Sequence, residues 1–309
     1  MPLDPRAKRF LDMTAIAPAA GRPTLATRRG ALEKLMQFAR ADRLSPAGLD
    51  GELAAPAAGL RYRLYTPASA PAQTPGVIFF HGGGLVAGSL ETHDVICRAL
   101  AENSGCRLLA IDYRLAPEHR FPAAIEDALA AIAAVAHQSE TLGIDETKIA
   151  VCGDSAGATL AAIACQHFRH ASSPRIALQV LICPVLDFGA SSPSRQDFAQ
   201  GYLIDKATLD ADLADYLPDG ITRADPQVSP LRAADLAGLP PAIIHTAEFD
   251  PMRDEGNAYA RKLQAAGVAT DLTCHPGMLH NFHALGAVLP QGREVLHTIG
   301  TQIRNALAR

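Results

Sequence analysis

The chain has 309 residues and a formal charge of −4, with 48% hydrophobic and 19% charged residues. That composition supports a large core and carries neither a basic face for nucleic acid nor an acidic tail, so binding to polyanions is not expected. The opening stretch MPLDPRAKRFLDM lacks the basic-then-apolar pattern of a secretory signal, and the longest apolar run, ALAAIAAVA, is too short for a bilayer, which makes a cytoplasmic protein with no membrane span the expectation.

In chain order, residues 1 to about 50 are helical in character, with TRRGALEKLMQFARAD as the clearest helix candidate. From there strand-like and helix-like runs alternate, the pattern of a mostly parallel sheet covered on both faces. The strand candidates are 60–67, 76–82, 107–114, 148–153, 177–185, 241–250 and 269–277. The central ones are almost continuously apolar, as strands buried on both faces must be, whereas 60–67 alternates like an outer strand. Helix candidates fall at 92–105, 121–139, 156–168 and 254–267, with a further one closing the chain. A polar segment from about 188 to 225, containing the helix candidate KATLDADLADYL, breaks the alternation. It and the amino-terminal segment read as peripheral helices or as a cap over a pocket. No repeat or linker stands out, so 1–309 reads as a single domain.

The chemistry is concentrated at strand ends. Gly153-Asp154-Ser155-Ala156-Gly157 follows one strand and opens a helix, the setting in which G-x-S-x-G forms a nucleophile elbow. Glycines on either side remove Cβ atoms that would clash in so sharp a turn. The helix start aims free N–H groups at the reacting centre. A serine hydroxyl needs a base, and the order serine, acid, histidine calls for partners beyond the ends of later strands. Asp250 stands at one such end, preferred over Glu248, still in the strand, and Asp254, which opens a helix. His280 stands at the next, with His283 as its rival and His275 still in the strand. His81-Gly82-Gly83-Gly84 follows the second strand and can turn backbone N–H groups toward an oxyanion. No G-K-[ST] follows, which argues against a phosphate cradle. His81 reads as a brace for that loop, and Asp154 as part of a scaffold network. The six cysteines form no C-x-x-C pair and no zinc-spaced group with histidines, so they read as small hydrophobes and no metal is expected.

HGGG, GDSAG, DPMRDEG and PGMLHNF, together with DYRLAPEHRFPAAIED, occur in an order that resembles the hormone-sensitive-lipase-like (family IV) carboxylesterases of the α/β-hydrolase fold, from about residue 60 to the end of the chain. The resemblance implies an α/β-hydrolase sheet with a helical cap formed by about 1–50 and about 188–225. It implies a Ser155–Asp250–His280 triad and an oxyanion hole from Gly83, Gly84 and Ala156. It also implies hydrolysis of short- to medium-chain acyl esters without a cofactor, a small-molecule ester as partner, a homodimer, and cis bonds at Ala116-Pro117 and Phe121-Pro122. Leu85 stands where the family usually has Phe or Trp, and Asn281 where Gly is usual; Leu85 and Met278 are expected to shape the substrate pocket. An amidase, lactonase or thioesterase would use the same site. A non-catalytic binding protein on this fold is the rival from another class, and the presence of His280 weighs against it.

Overall fold

The computed structural model describes residues 2–14, 23–38 and 45–308. Eight strands make one sheet: β1 Gly48–Glu52, β2 Arg61–Tyr65, β3 Thr74–Phe80, β4 Arg107–Ile111, β5 Ile144–Asp154, β6 Ile176–Ile182, β7 Ala242–Phe249 and β8 Thr270–Leu279. Their order is β1-β2-β4-β3-β5-β6-β7-β8. β2 runs antiparallel to both β1 and β4, and every pairing from β4 through β3 to β8 is parallel. The helices are α1 Pro5–Thr14, α2 Leu25–Met36, α3 Asp94–Ser104, α4 Ala123–His137, α5 Ser139–Leu142, α6 Ala156–Phe168, α7 Pro193–Asp197, α8 Lys206–Tyr216, α9 Arg253–Ala265 and α10 Pro290–Leu307, with 3-10 turns at Pro230–Arg232 and Phe282–Ala284.

The two-residue period of a strand assigns its side chains to opposite faces. Ile78, Phe80, Leu109, Ile111, Ile149 and Val151 enter a core shared with α4, α6 and α9. Their neighbours Val77, Phe79, Leu108, Ala110, Ala150 and Cys152 enter a second core under α3 and α10. Continuous apolar sequence in the middle strands therefore follows from burial on both faces. Among the described residues no helix is long and apolar enough to cross a membrane.

One difference from the sequence expectation is local. Residues 48–52 form an edge strand, not helix, although GLDGE has little strand propensity. Backbone pairing along β2, in register from Gly48 opposite Tyr65 to Glu52 opposite Arg61, overrides that propensity. The helix candidate beginning at 27 is realised as α2, and its stretch 39–42 lies outside the described residues. The polar segment carries α7 and α8, each opened by a side-chain cap, Ser192 onto Arg195 N–H and Asp205 onto Thr208 N–H. Ala116-Pro117 and Phe121-Pro122 are cis.

Candidate active site

Parallel strands bring their carboxyl ends to one side of the sheet, and the candidate groups hang from those ends. Ser155 occupies the single residue between β5 and α6, at φ 51° and ψ −120°. A non-glycine residue in that region is strained, and the surroundings enforce it. Ser155 N–H donates to Ile182 C=O at 2.8 Å, and Ser155 C=O accepts from Val185 N–H at 3.2 Å. The two motif glycines are obligatory for a steric reason. A Cβ on Gly153 would sit 2.5 Å from Gly157 O, and one on Gly157 would sit 2.6 Å from His81 O, with Phe80 O closer still.

Asp250 directly follows β7 and His280 directly follows β8. Ser155 Oγ lies 3.0 Å from His280 Nε2, and His280 Nδ1 lies 2.8 Å from Asp250 Oδ2. The second carboxylate oxygen, Oδ1, accepts the Met252 N–H at 2.8 Å. With Nδ1 donating to the carboxylate, Nε2 is left to accept the serine proton. All three residues are buried, at 4%, 1% and 0% exposure for Ser155, His280 and Asp250, so water competes little with these bonds. Asn281, at φ 57°, turns the chain just past His280, as its tolerance of positive φ allows.

The rivals point elsewhere. Glu248 accepts the Gly277 N–H at 2.7 Å, and Asp254 accepts the Ser194 N–H at 2.9 Å and pairs with Arg253. His275 stacks on His245, and His283 faces Asp154.

The glycine loop after β3 adopts φ 121° at Gly83 and 67° at Gly84. Among the described residues, no acceptor takes the N–H groups of Gly83, Gly84 or Ala156, and Gly84 and Ala156 line one cavity with Ser155. The loop is held from beneath. Asp154 Oδ1 accepts the Gly82 N–H at 2.9 Å, His81 Nδ1 donates to Gly82 C=O at 2.8 Å, and Tyr113 Oη donates to His81 C=O at 2.6 Å. Burial, with His93 nearby, pushes the His81 imidazole down to about 3, so His81 is a neutral brace.

A cavity of about 220 Å³ opens over Ser155, bounded by Gly84, Ala156, Val185, Phe188, Leu213 and Pro251 among others. Leu85 and Met278 are not among its lining residues. Leu85, at φ 64°, packs into the core under α4 and α6, and Met278 into the opposite one. Sequence reasoning missed Arg28, whose guanidinium binds both Asp212 and Asp215 of α8, tying the amino-terminal segment to the second peripheral one. The Asp212 carboxylate packs against Gly84 so closely that a Cβ there would collide with it. Cys183 was also missed as a neighbour of the site. Its Sγ, an Asp250 oxygen and a His280 nitrogen lie within 4.8 Å of one another. Among the described residues this is the one set of donors spaced to share a metal ion. The acid and imidazole are already bonded to each other, and burial pushes the Cys183 thiol well up, into its non-ligating protonated form.

A mostly parallel sheet with a hydroxyl, an imidazole and a carboxylate bonded in line at its carboxyl edge is the arrangement on which hydrolases of the serine type are built. A family model described as the α/β hydrolase fold matches residues 77–284. The carboxylic ester hydrolase LipN of Mycobacterium tuberculosis is 44% identical over 239 residues, covering 75% of this chain but 63% of LipN, less than two thirds of that relative's length. Ethyl acetate hydrolase of Pseudomonas putida is 41% identical over 242 residues, covering 77% of this chain and 76% of the relative. Among solved structures, a hyperthermophilic esterase from the archaeon Pyrobaculum calidifontis matches with a TM-score of 0.92 at 37% identity, over 100% of both chains. LAE6, an α/β hydrolase enzyme from the metagenome of Lake Arreo, matches as a Ser161Ala mutant with a TM-score of 0.92 at 40% identity, over 99% of both chains. The chain belongs to the α/β-hydrolase family, in the hormone-sensitive-lipase-like group that its motifs resemble.

Proposed function

We propose that the chain is a serine carboxylesterase acting on short- to medium-chain acyl esters, with Ser155, His280 and Asp250 as nucleophile, base and acid. Ser155 Oγ attacks the ester carbonyl carbon as its proton passes to His280 Nε2. The N–H groups of Gly83, Gly84 and Ala156 hold the oxyanion of the tetrahedral intermediate. Collapse breaks the bond to the alcohol, which leaves with the proton from His280. Water then adds to the acyl-enzyme by the same steps and releases the acid. Asp250 keeps the imidazole in the reactive tautomer and stabilises the imidazolium.

The observation carrying this reading is the unbroken line of 3.0 and 2.8 Å contacts, and three N–H groups with no other acceptor among the described residues support it. The 220 Å³ cavity is below the ~300–1,000 Å³ of pockets for drug-sized ligands, which supports small acyl groups. The Arg28 tie from α2 to α8 supports a cap made of about 1–50 and about 188–225. Six free cysteines, five of them buried, support a reducing, cytoplasmic setting. β8 is the last strand of the sheet, and among the described residues its outer edge has no strand partner. The Gly277 C=O is taken by the Asp4 N–H at 3.1 Å; the rest of that edge supports a homodimer, since an open strand edge offers its backbone to a second copy.

The test is Ser155→Ala on an aryl butyrate. Activity should fall on the order of 10⁶-fold, as removal of such a nucleophile does elsewhere, and retention of most activity rejects the assignment. Matched ester, amide and thioester substrates then separate an esterase from an amidase or thioesterase.

A further inference from the structure

Behind the nucleophile lies a second, fully buried acid. Asp154 is 0% exposed and immediately precedes Ser155. Its Oδ1 holds the Gly82 N–H, while its Oδ2 faces His93 Nε2 at 3.4 Å and His283 Nε2 at 3.6 Å. His93 opens α3, where its Nδ1 is anchored by Thr92 Oγ1 at 2.9 Å. His283 comes from the 3-10 turn beyond β8 and is 1% exposed. Burial alone would raise the Asp154 carboxyl; His93, with His283 beside it, outweighs burial and holds the group well below the ordinary carboxylate range.

A buried carboxylate persists only when its charge is compensated, and a buried imidazole needs a reason to be there. Neither ring nitrogen of His283 has a hydrogen-bond partner among the described residues, and the opposite charge it faces is the Asp154 carboxylate at 3.6 Å, which accounts for its place. The spacing matters more than the pair itself. Asp154 is one residue from Ser155, and His283 is three residues from His280, within the same turn. A contact between Asp154 and His283 therefore fixes the two segments whose side chains must meet at 3.0 Å. Through Gly82 the same carboxylate fixes the glycine loop.

We propose that His283 is a positioning residue: through Asp154 it locks the turn that carries His280 to the elbow that carries Ser155. The proposal rests on Ser155 and His280 being nucleophile and base. His283→Phe keeps the ring and removes its polar atoms. The expected result is a fall in kcat of about 10²-fold at nearly constant KM, the scale set by a misplacement of about 1 Å. The downfield proton resonance of the His280 Nδ1–H···Asp250 bond should broaden in the same variant, because the imidazole is no longer held. His283→Gln, which keeps a donor toward Asp154, should recover at least part of the loss. Wild-type kcat together with an unchanged resonance in His283→Phe overturns the proposal. Should that variant not fold, a cycle of Asp154→Asn, His283→Leu and their double variant decides. Losses in kcat that fail to add support the lock, and additive losses overturn it. Ser155→Ala separates the two levels. Activity surviving in it defeats the catalytic assignment, whereas a dead Ser155→Ala beside a fully active His283→Phe defeats only the lock.

Discussion

Gly157→Ala tests whether the elbow is held by backbone contact. Gly157 lies in the first turn of α6, where the helix crosses the end of β3. A Cβ at this position would stand 2.6 Å from His81 O and closer to Phe80 O, and neither can move as a flexible side chain would. Ordinary contact begins near 3.4 Å, so the helix start must lift away from β3 by about 1 Å. Overpacking of this kind costs about 1–3 kcal/mol of stability. The catalytic cost is comparable, because the lift carries Ser155 with it. A 3.0 Å contact to His280 stretched by about 1 Å is no longer a hydrogen bond, and a displacement of that size costs on the order of 10²-fold in rate. Steady-state turnover of an aryl butyrate, phosphonate titration of active serine and thermal unfolding together give the outcome. kcat should drop about 100-fold with a modest fall in Tm. A folded Gly157→Ala protein with wild-type kcat would show that the elbow tolerates the methyl group, and the steric account of the motif would be wrong.

Asp250→Asn should keep the Met252 N–H contact at Oδ1 but present His280 with an amide that no longer fixes the tautomer, lowering kcat by about 10⁴-fold; a loss below tenfold would remove Asp250 from the triad. Stability should fall in acid for a reason unconnected with catalysis. Burial, with His245 and then His283 nearby, holds His275 down at about 4, against 6.5 for a free imidazole. Between those values the unfolded chain binds a proton that the folded chain refuses. The His275 contribution is therefore complete above 6.5 and is lost as pH falls through 4. Denaturant titrations at several pH values should give a shallower acid slope for His275→Gln than for the parent, and identical slopes would refute the assignment.

The middle of the sheet was legible because burial on both faces leaves no room for polar residues, so 76–82, 107–114 and 177–185 announce themselves. That Ser155, Asp250 and His280 would come together was legible for a topological reason. Parallel strands deliver their carboxyl ends to one edge, so a serine, an acid and a histidine at three such ends must meet. What sequence could not convey was the direction of a side chain within a loop. Leu85 and Met278 sit next to the right motifs, yet both pack into the cores. His283 differed from His280 only by three positions along the chain, and only the turn at Asn281 decides which imidazole reaches Ser155. β1 was missed because two glycines and two acids in five residues carry no strand signal, and its partner strand supplies the order. Arg28 lies 184 residues from Asp212, a distance over which no local pattern speaks.

The cavity takes its floor from strand ends and much of its wall from Phe188, Ile204, Leu209 and Leu213, which belong to the peripheral segment. On the proposed function, the groups that break the bond and the side chains that bound the substrate thus lie in different layers of one polypeptide. Residues of the outer layer can then be exchanged without touching the groups that react.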